Sequence, residues 1–278
     1  MFEGRRLLIA TKHGKEKVIA PIIEAQIRVK CFVSSEFDTD QLGTFTGEIE
    51  RQKDVLTTLK QKCLLAMEME NCDLAMASEG SFGPHPSLFF IPANDEFLIF
   101  IDKLNGLEII VRELSTDTNF NAAQVDTEKE VFEFAKAIKF PSHGLILRKA
   151  KNDFTEIVKG INSEAKLLQN SQYFLRQYGS LYIETDMRAL YNPIRMQVIE
   201  KVTHKMAQKL NTFCPSCLMP GFGVVKVKPG LPCLLCNYGT NNALSHIFEC
   251  HKCKYIHELK YPNEQTQADP ISCDRCNP

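Results

Sequence analysis

Cys214-Pro215-Ser216-Cys217, Cys233-Leu234-Leu235-Cys236, Cys250-His251-Lys252-Cys253 and Cys273-Asp274-Arg275-Cys276 are four Cys-x-x-Cys pairs, and they use eight of the chain's eleven cysteines. Such a pair sets two thiolates within reach of one tetrahedral ion, and two pairs close a structural zinc site with Zn–S of about 2.3 Å. The intervals between pairs are 15 residues (218–232), 13 (237–249) and 19 (254–272). The first and third match the spacing of a two-knuckle ribbon. Pro215, Pro232, Gly221, Gly223, Gly230 and Gly239 supply the turns. Val224–Val227 and Leu244–Phe248 alternate as ribbon strands do.

Residues 212–278 are therefore expected to form a small zinc-ribbon-like domain. It would hold two structural Zn²⁺ on Cys214, Cys217, Cys233, Cys236, Cys250, Cys253, Cys273 and Cys276. Two pairings fit the spacing. Adjacent pairing joins 214/217 to 233/236 and 250/253 to 273/276. Nested pairing joins 233/236 to 250/253 and 214/217 to 273/276. Either way four cysteines fill each site and leave no position open for chemistry. His246, His251 and His257 read as surface or neighbouring residues. A disulfide scaffold is the competing reading, and it suits secreted chains. Met1-Phe2-Glu3-Gly4-Arg5-Arg6 runs into a strand without an apolar leader, so reduced thiols in the cytoplasm are expected.

At 278 residues the chain has room for one sizeable α/β domain beside the small one. Its net charge of −1 gives no global attraction to nucleic acid or an anionic membrane. No apolar run approaches the roughly 18 residues of a membrane span, so no membrane partner is expected. Nothing in the sequence fixes an oligomeric state.

Residues 1–150 read as an α/β domain: a mixed sheet with flanking helices. Arg6–Ala10 is a short strand running through Thr11-Lys12-His13-Gly14-Lys15 into a helix, an arrangement that offers amide groups and lysines to an anion. A second strand over Arg28–Val33 precedes a loop carrying Asp38, Asp40 and Glu48, candidate ligands for Mg²⁺. Glu50–Glu70 has helical periodicity, with Val55, Leu56, Leu59, Cys63 and Met67 inward. Asp73–Ala77 is a strand, and Ser78–Pro86 reads as a loop at the sheet's C-terminal edge, where α/β sheets bind ligands. That loop offers Glu79, Ser81 and His85.

Glu96–Asp102 and Leu107–Arg112 flank Asn105-Gly106 and form a hairpin. Thr127–Ile138 is an amphipathic helix with Val131, Phe132, Phe134 and Ala135 inward. Residues 151–211 read as a helical connector, with a possible site contribution from Glu184, Asp186 and Arg188. Asn192-Pro193 starts its last helix. Lys201, Lys205 and Lys209 form a stripe on that helix, which a nucleic-acid backbone would meet. Residues 211–278, however, carry six Lys/Arg against five Asp/Glu, a balance that favours a solvated face.

The order of elements over residues 1–115 resembles the inosine triphosphate pyrophosphatase-type fold of nucleotide house-cleaning enzymes. In that group a strand ends in a Thr/Ser-x-Asn-x-x-Lys loop that holds phosphates. Here Thr11, His13 and Lys15 occupy that loop, with His13 in place of Asn and the lysine one residue early. Glu48 precedes the next helix and Glu79-Gly80 ends the strand, where the group holds Mg²⁺. Lys60 and Lys62 are candidates for its helical lysine.

The resemblance implies a Mg²⁺-dependent hydrolase of a nucleotide-like phosphate substrate. Lys12, His13 and Lys15 would neutralise phosphates, and Glu48 and Glu79 would hold Mg²⁺ with Asp186 as a third carboxylate. Thr11, Ser81, His85 and Arg188 would complete the substrate contacts. Thr11–Glu16, Ala77–Pro86, Glu184–Ala189 and the cysteine pairs are also similar to an uncharacterised bacterial family of unknown function, which brings no activity with it. The rival expectation is a non-enzymatic zinc-ribbon module that grips nucleic acid or a protein partner.

Overall fold

The apolar run Arg6–Ala10 (β1) sits inside the first sheet, its Leu7, Leu8, Ile9 and Ala10 all buried. The structure is a computed structural model that describes residues 1–34 and 54–278. Asp38, Asp40 and Glu48 lie outside the described residues. The chain divides into two compact units, Met1–Met206 and Ala207–Pro278.

In the first unit, β1 leads into α1 (Glu16–Ile27), which ends on Arg28 in the left-handed region at φ 56°. β2 (Lys30–Phe32) pairs parallel to β1. Asp54 caps α2 (Val55–Met69) by accepting from the amides of Leu56 and Thr57, each at 3.0 Å. β3 (Leu74–Pro84) pairs parallel to β1, and β4 (Pro92–Asp102) and β5 (Leu107–Ser115) follow antiparallel. The sheet order is β2-β1-β3-β4-β5, a mixed sheet with flanking helices, as expected. Leu59, Cys63, Ala66 and Met67 of α2 pack on Leu8, Ala10, Ala75, Ala77, Ile99 and Ile101. Leu56 is exposed, so the inward face of α2 is narrower than its apolar residues suggest.

Two sequence readings need correction. Ser78–Pro86 is not a loop: β3 continues to Pro84 and pairs residue for residue with β4, from Ser78↔Leu98 to Pro84↔Pro92. Gly80 permits this, since a Cβ there would stand 2.3 Å from Oε2 of its cross-strand neighbour Glu96. Nor is 151–211 a helical connector, because it supplies two strands of a second sheet. That sheet runs β6-β9-β7-β8, all antiparallel, from Ala122–Val125 (β6), Leu145–Ala150 (β7), Asp153–Ile161 (β8) and Leu181–Thr185 (β9). The strand pattern of Asp153–Ile161 was masked by its interspersed Asp, Thr, Glu and Lys.

Helices α3 (Glu128–Ala137) and α4 (Glu164–Tyr178) cover one face of this second sheet. Val131, Phe134, Leu167 and Phe174 meet Leu145, Leu147, Ile161, Leu181 and Ile183. Thr127 and Glu130 form a reciprocal capping box on α3. Phe132, expected inward, is exposed. α5 (Pro193–Leu210) buries Val198, Ile199, Val202, Met206 and Leu210.

The second unit is a three-stranded meander of β10 (Gly223–Pro229), β11 (Ala243–Glu249) and β12 (Ile256–Lys260). Its apolar core is small: Phe222 stacks on Phe248 at 5.7 Å beside Cys214, Cys250 and Met219. So little buried apolar surface leaves much of the unit's stability to other bonds. No helix of the described residues is long and apolar enough to cross a membrane.

Candidate functional site

The meander decides how the cysteine pairs combine. The four knuckles alternate with the three strands, and each antiparallel strand carries the chain to the opposite end of the sheet. The first and third knuckles thus meet where Gly223 pairs with Glu249. The second and fourth lie toward the other end, where Pro229 pairs with Ala243 and Ser245 with Lys260. The tetrads are Cys214/Cys217/Cys250/Cys253 and Cys233/Cys236/Cys273/Cys276. Both pairings drawn from spacing are therefore corrected: the true one is interleaved.

Cross-pair sulfur separations are 3.6 Å for Cys214–Cys253 and Cys217–Cys250, 3.9 Å for Cys233–Cys276 and 3.7 Å for Cys236–Cys273. A tetrahedral ion with metal–sulfur bonds of about 2.3 Å needs sulfur–sulfur edges of about 3.8 Å. A disulfide needs about 2.05 Å. All eight cysteines are unbridged, and the two tetrads fit metal ions.

The first three knuckles share one backbone design. The amides of Leu218, Asn237 and Lys254 donate to the carbonyls of Cys214, Cys233 and Cys250 at 2.9, 2.9 and 3.0 Å. Those three residues adopt φ of 59°, 57° and 60°. The amides of Cys214, Cys233 and Cys250 in turn donate to Met219, Tyr238 and Tyr255. Backbone amides aimed at sulfur favour the thiolate, the form a metal requires. The Cys236 amide is the largest influence drawing Cys233 down to about 7, and the Tyr255 amide does the same for Cys253, while neighbouring thiols of the same tetrads help push Cys217 and Cys276 up to about 12.

The first unit holds a different kind of site. Lys15, at the start of α1, is buried, and its Nζ donates to Ser78 Oγ at 2.8 Å and the Ser78 carbonyl at 3.1 Å. It lies 3.5 Å from Glu96 Oε1. Arg195 of α5 is fully buried. Its Nε donates to Glu96 Oε2 at 3.1 Å, its Nη2 to Oε1 at 3.3 Å and its Nη1 to the Met187 carbonyl at 2.7 Å. Lys62 of α2 pairs with Glu79 of β3 at 3.3 Å, and both are buried. Among the described residues, Lys15, Lys62 and Arg195 thus share a buried cluster with Glu79 and Glu96. Burial drives the Lys15 amine down to about 7, with Glu96 opposing and Arg195 and Lys62 reinforcing.

Thr11 is buried beside this cluster's loop and accepts the His13 amide at 3.3 Å. Lys12 is exposed and His13 half-buried. Ser81 pairs with Asp95 along the β3–β4 ladder. His85 sits at the hairpin turn, where its Nδ1 accepts the amides of Ser87 and Leu88 at 3.2 Å, so its geometry serves the turn.

Asp186 is fully buried and gripped by Arg188, whose Nε and Nη2 lie 3.0 and 2.6 Å from its two oxygens. It also accepts the Gly160 amide at 3.1 Å. Gly160, at φ 69°, leaves room for the Tyr191 ring, 2.7 Å from where a Cβ would stand. Among the described residues the groups able to hold a metal are the two cysteine tetrads. Glu79 and Asp186 each carry a cation, which does not fit a Mg²⁺ site.

Sequence reading missed Glu96 and Arg195 and had Lys62 only as one of two candidates. Each is a charge at a core position of an apolar pattern: Lys62 among Leu59, Cys63 and Ala66, Arg195 in register with Val198, Ile199 and Val202. That mismatch was the available signal. Two lysines of the stripe, by contrast, are paired within the first unit. Lys201 pairs with Asp117 at 3.1 Å and Lys205 with Glu113.

A family model described as "Domain of unknown function (DUF6671)" matches residues 62–278. No curated protein and no solved structure matches the chain.

Proposed function

The chain belongs to the DUF6671 family, a domain of unknown function, and from its buried charges we propose that it binds and hydrolyses a phosphate-bearing, nucleotide-like small molecule. One observation carries this reading: among the described residues, Lys15, Lys62 and Arg195 gather with Glu79 and Glu96 in a buried cluster where β1 runs into α1. A phosphate group would accept from these basic side chains, and the positive end of the α1 dipole would add to the attraction.

Lys15 and Arg195 would stabilise charge developing on the phosphoryl oxygens. Glu79 would take the proton of the attacking water as the water oxygen bonds to phosphorus and the leaving oxygen departs. Glu79 and Asp186 are each paired with a cation, so no step is assigned to Mg²⁺. The resemblance in element order to the inosine triphosphate pyrophosphatase-type fold supports a nucleotide as the substrate class. In the second unit we assign Zn²⁺ to both tetrads. Four thiolates around a small tetrahedral ion suit zinc, and its role there is structural. A reducing compartment, the cytoplasm, is where eight such thiols persist.

The test is phosphate and pyrophosphate release from a panel of nucleoside triphosphates, with and without Mg²⁺, by wild type beside Glu79→Gln. Release by wild type and a loss of at least about 100-fold in Glu79→Gln is expected. No release from any substrate by the folded, metal-loaded chain would contradict the reading.

A second reading has its own observation. Leu235 and Ile271, next to the second tetrad, are 74% and 73% exposed. Such residues suit a protein partner of the second unit. Lys201 and Lys205 of α5 are engaged by Asp117 and Glu113, so a protein partner is favoured over nucleic acid.

A further inference from the structure

The face of the second sheet away from α3 and α4 carries a charged pair that the proposed activity leaves unused. Arg148 of β7 stands opposite Tyr182 of β9, and Glu184 lies two residues along the same strand. Arg148 is 5% exposed, and its Nη2 donates to Glu184 Oε2 at 2.5 Å. The rings of Phe154 and Tyr182 lie against the guanidinium, their centroids 4.7 and 5.1 Å from its central carbon. Aromatic cover of this kind leaves the guanidinium edges as its free hydrogen-bonding surface.

Those edges are not satisfied. Arg148 Nε and Nη1 and Glu184 Oε1 are all buried and have no hydrogen-bond partner among the described residues. Burial pushes the Glu184 carboxyl above the usual carboxylate range, against the opposing pull of Arg148. Folded proteins rarely leave such atoms unpaired, because each has given up its water on folding. Two orphan donors and an orphan acceptor side by side define what would complete them. A phosphate or carboxylate would satisfy Arg148 and be repelled by Glu184, and a cation would do the reverse. A neutral group with an acceptor next to a donor satisfies both.

We propose that Arg148 and Glu184 form a recognition site for an amide or lactam edge, the carbonyl oxygen accepting from Arg148 and the adjacent N–H donating to Glu184 Oε1. Nucleobases with a lactam edge belong to this class. The inference stands apart from the phosphate reading, since its probe carries no phosphate.

The experiment is an NMR titration of the full, metal-loaded chain with uracil and with 1,3-dimethyluracil, which keeps the carbonyls and lacks the N–H donors. Saturable shifts with uracil, at least about tenfold weaker binding of the dimethyl analogue, and loss of uracil binding in Arg148→Met/Glu184→Met are expected. The double variant replaces a buried pair by apolar side chains of similar length, a change proteins tolerate. If that variant fails to fold, the contrast between the two probes in wild type stands as the test. Absence of uracil binding at millimolar concentration, equal binding of both probes, or unchanged binding by a folded double variant would overturn the proposal and leave the orphan atoms to buried water.

Discussion

The two units concentrate charge in opposite ways. In the second, eight thiolates come from four short repeats, and each knuckle builds half a site within four residues. In the first, five charged side chains come from residues 15, 62, 79, 96 and 195, and no two of them are neighbours in sequence. The cysteine sites are closed on all four corners and suit a structural ion. The lysine–arginine cluster brings three basic and two acidic side chains together in a buried place among the described residues. A site whose four corners are all protein ligands serves the fold, while a buried cluster of basic side chains suits a reaction or a partner.

The largest effect that would sharpen this contrast is metal removal. Structural zinc supplies on the order of 10 kcal/mol of folding free energy in small thiolate domains. Chelation is therefore expected to unfold Ala207–Pro278 while Met1–Met206 keeps its secondary structure, read by residue-resolved NMR with release of two ions per chain. Retention of the three-stranded meander without metal would break the comparison. Next comes Arg195→Met. It leaves Glu96 buried with Lys15 as its remaining close cation and should cost about 3–5 kcal/mol in urea unfolding, the usual penalty for opening a buried pair. A loss below about 1 kcal/mol would mean that Glu96 is not held by this network.

What could be read from sequence follows the same division. The cysteine ligands were legible because their spacing is local and the chemistry demands it. Their pairing was not, because spacing along the chain does not say that β10 and β11 pair antiparallel and return the third knuckle to the first. In the first unit β1, α2, the β4–β5 hairpin and α5 were legible from periodicity and turn residues. The extension of β3 through Gly80 and Gly83 was not, since glycine and proline there signal a turn. Lys15 and Glu79 were found through their loops and glycines. Glu96 and Arg195 were not, because a charge in a core stripe is understood only once its partner, 99 positions away, is known. Glu79, Asp186 and Arg188 were singled out as site residues, but the cations beside Glu79 and Asp186 appear only in the folded chain.

Lys15 tests the central claim most directly, through an effect that is smaller and of opposite sign. Its folded-state pKa of about 7 lies below the 10.5 of a free lysine, so the unfolded chain binds the extra proton between those values. Stability contributed by this group therefore rises as pH increases from about 7 toward 10.5, and at pH 7 the buried amine is a burden. The measurement is urea unfolding at pH 7 and pH 9.5, together with calorimetric titration by pyrophosphate, on wild type and Lys15→Met. The account predicts that Lys15→Met is more stable by about 2 kcal/mol at pH 7, after loss of the Ser78 hydrogen bonds. It also predicts that the variant loses the rise toward pH 9.5 and binds pyrophosphate at least about tenfold more weakly. A variant that is less stable than wild type and binds pyrophosphate equally well would contradict it, and the cluster would then belong to the fold.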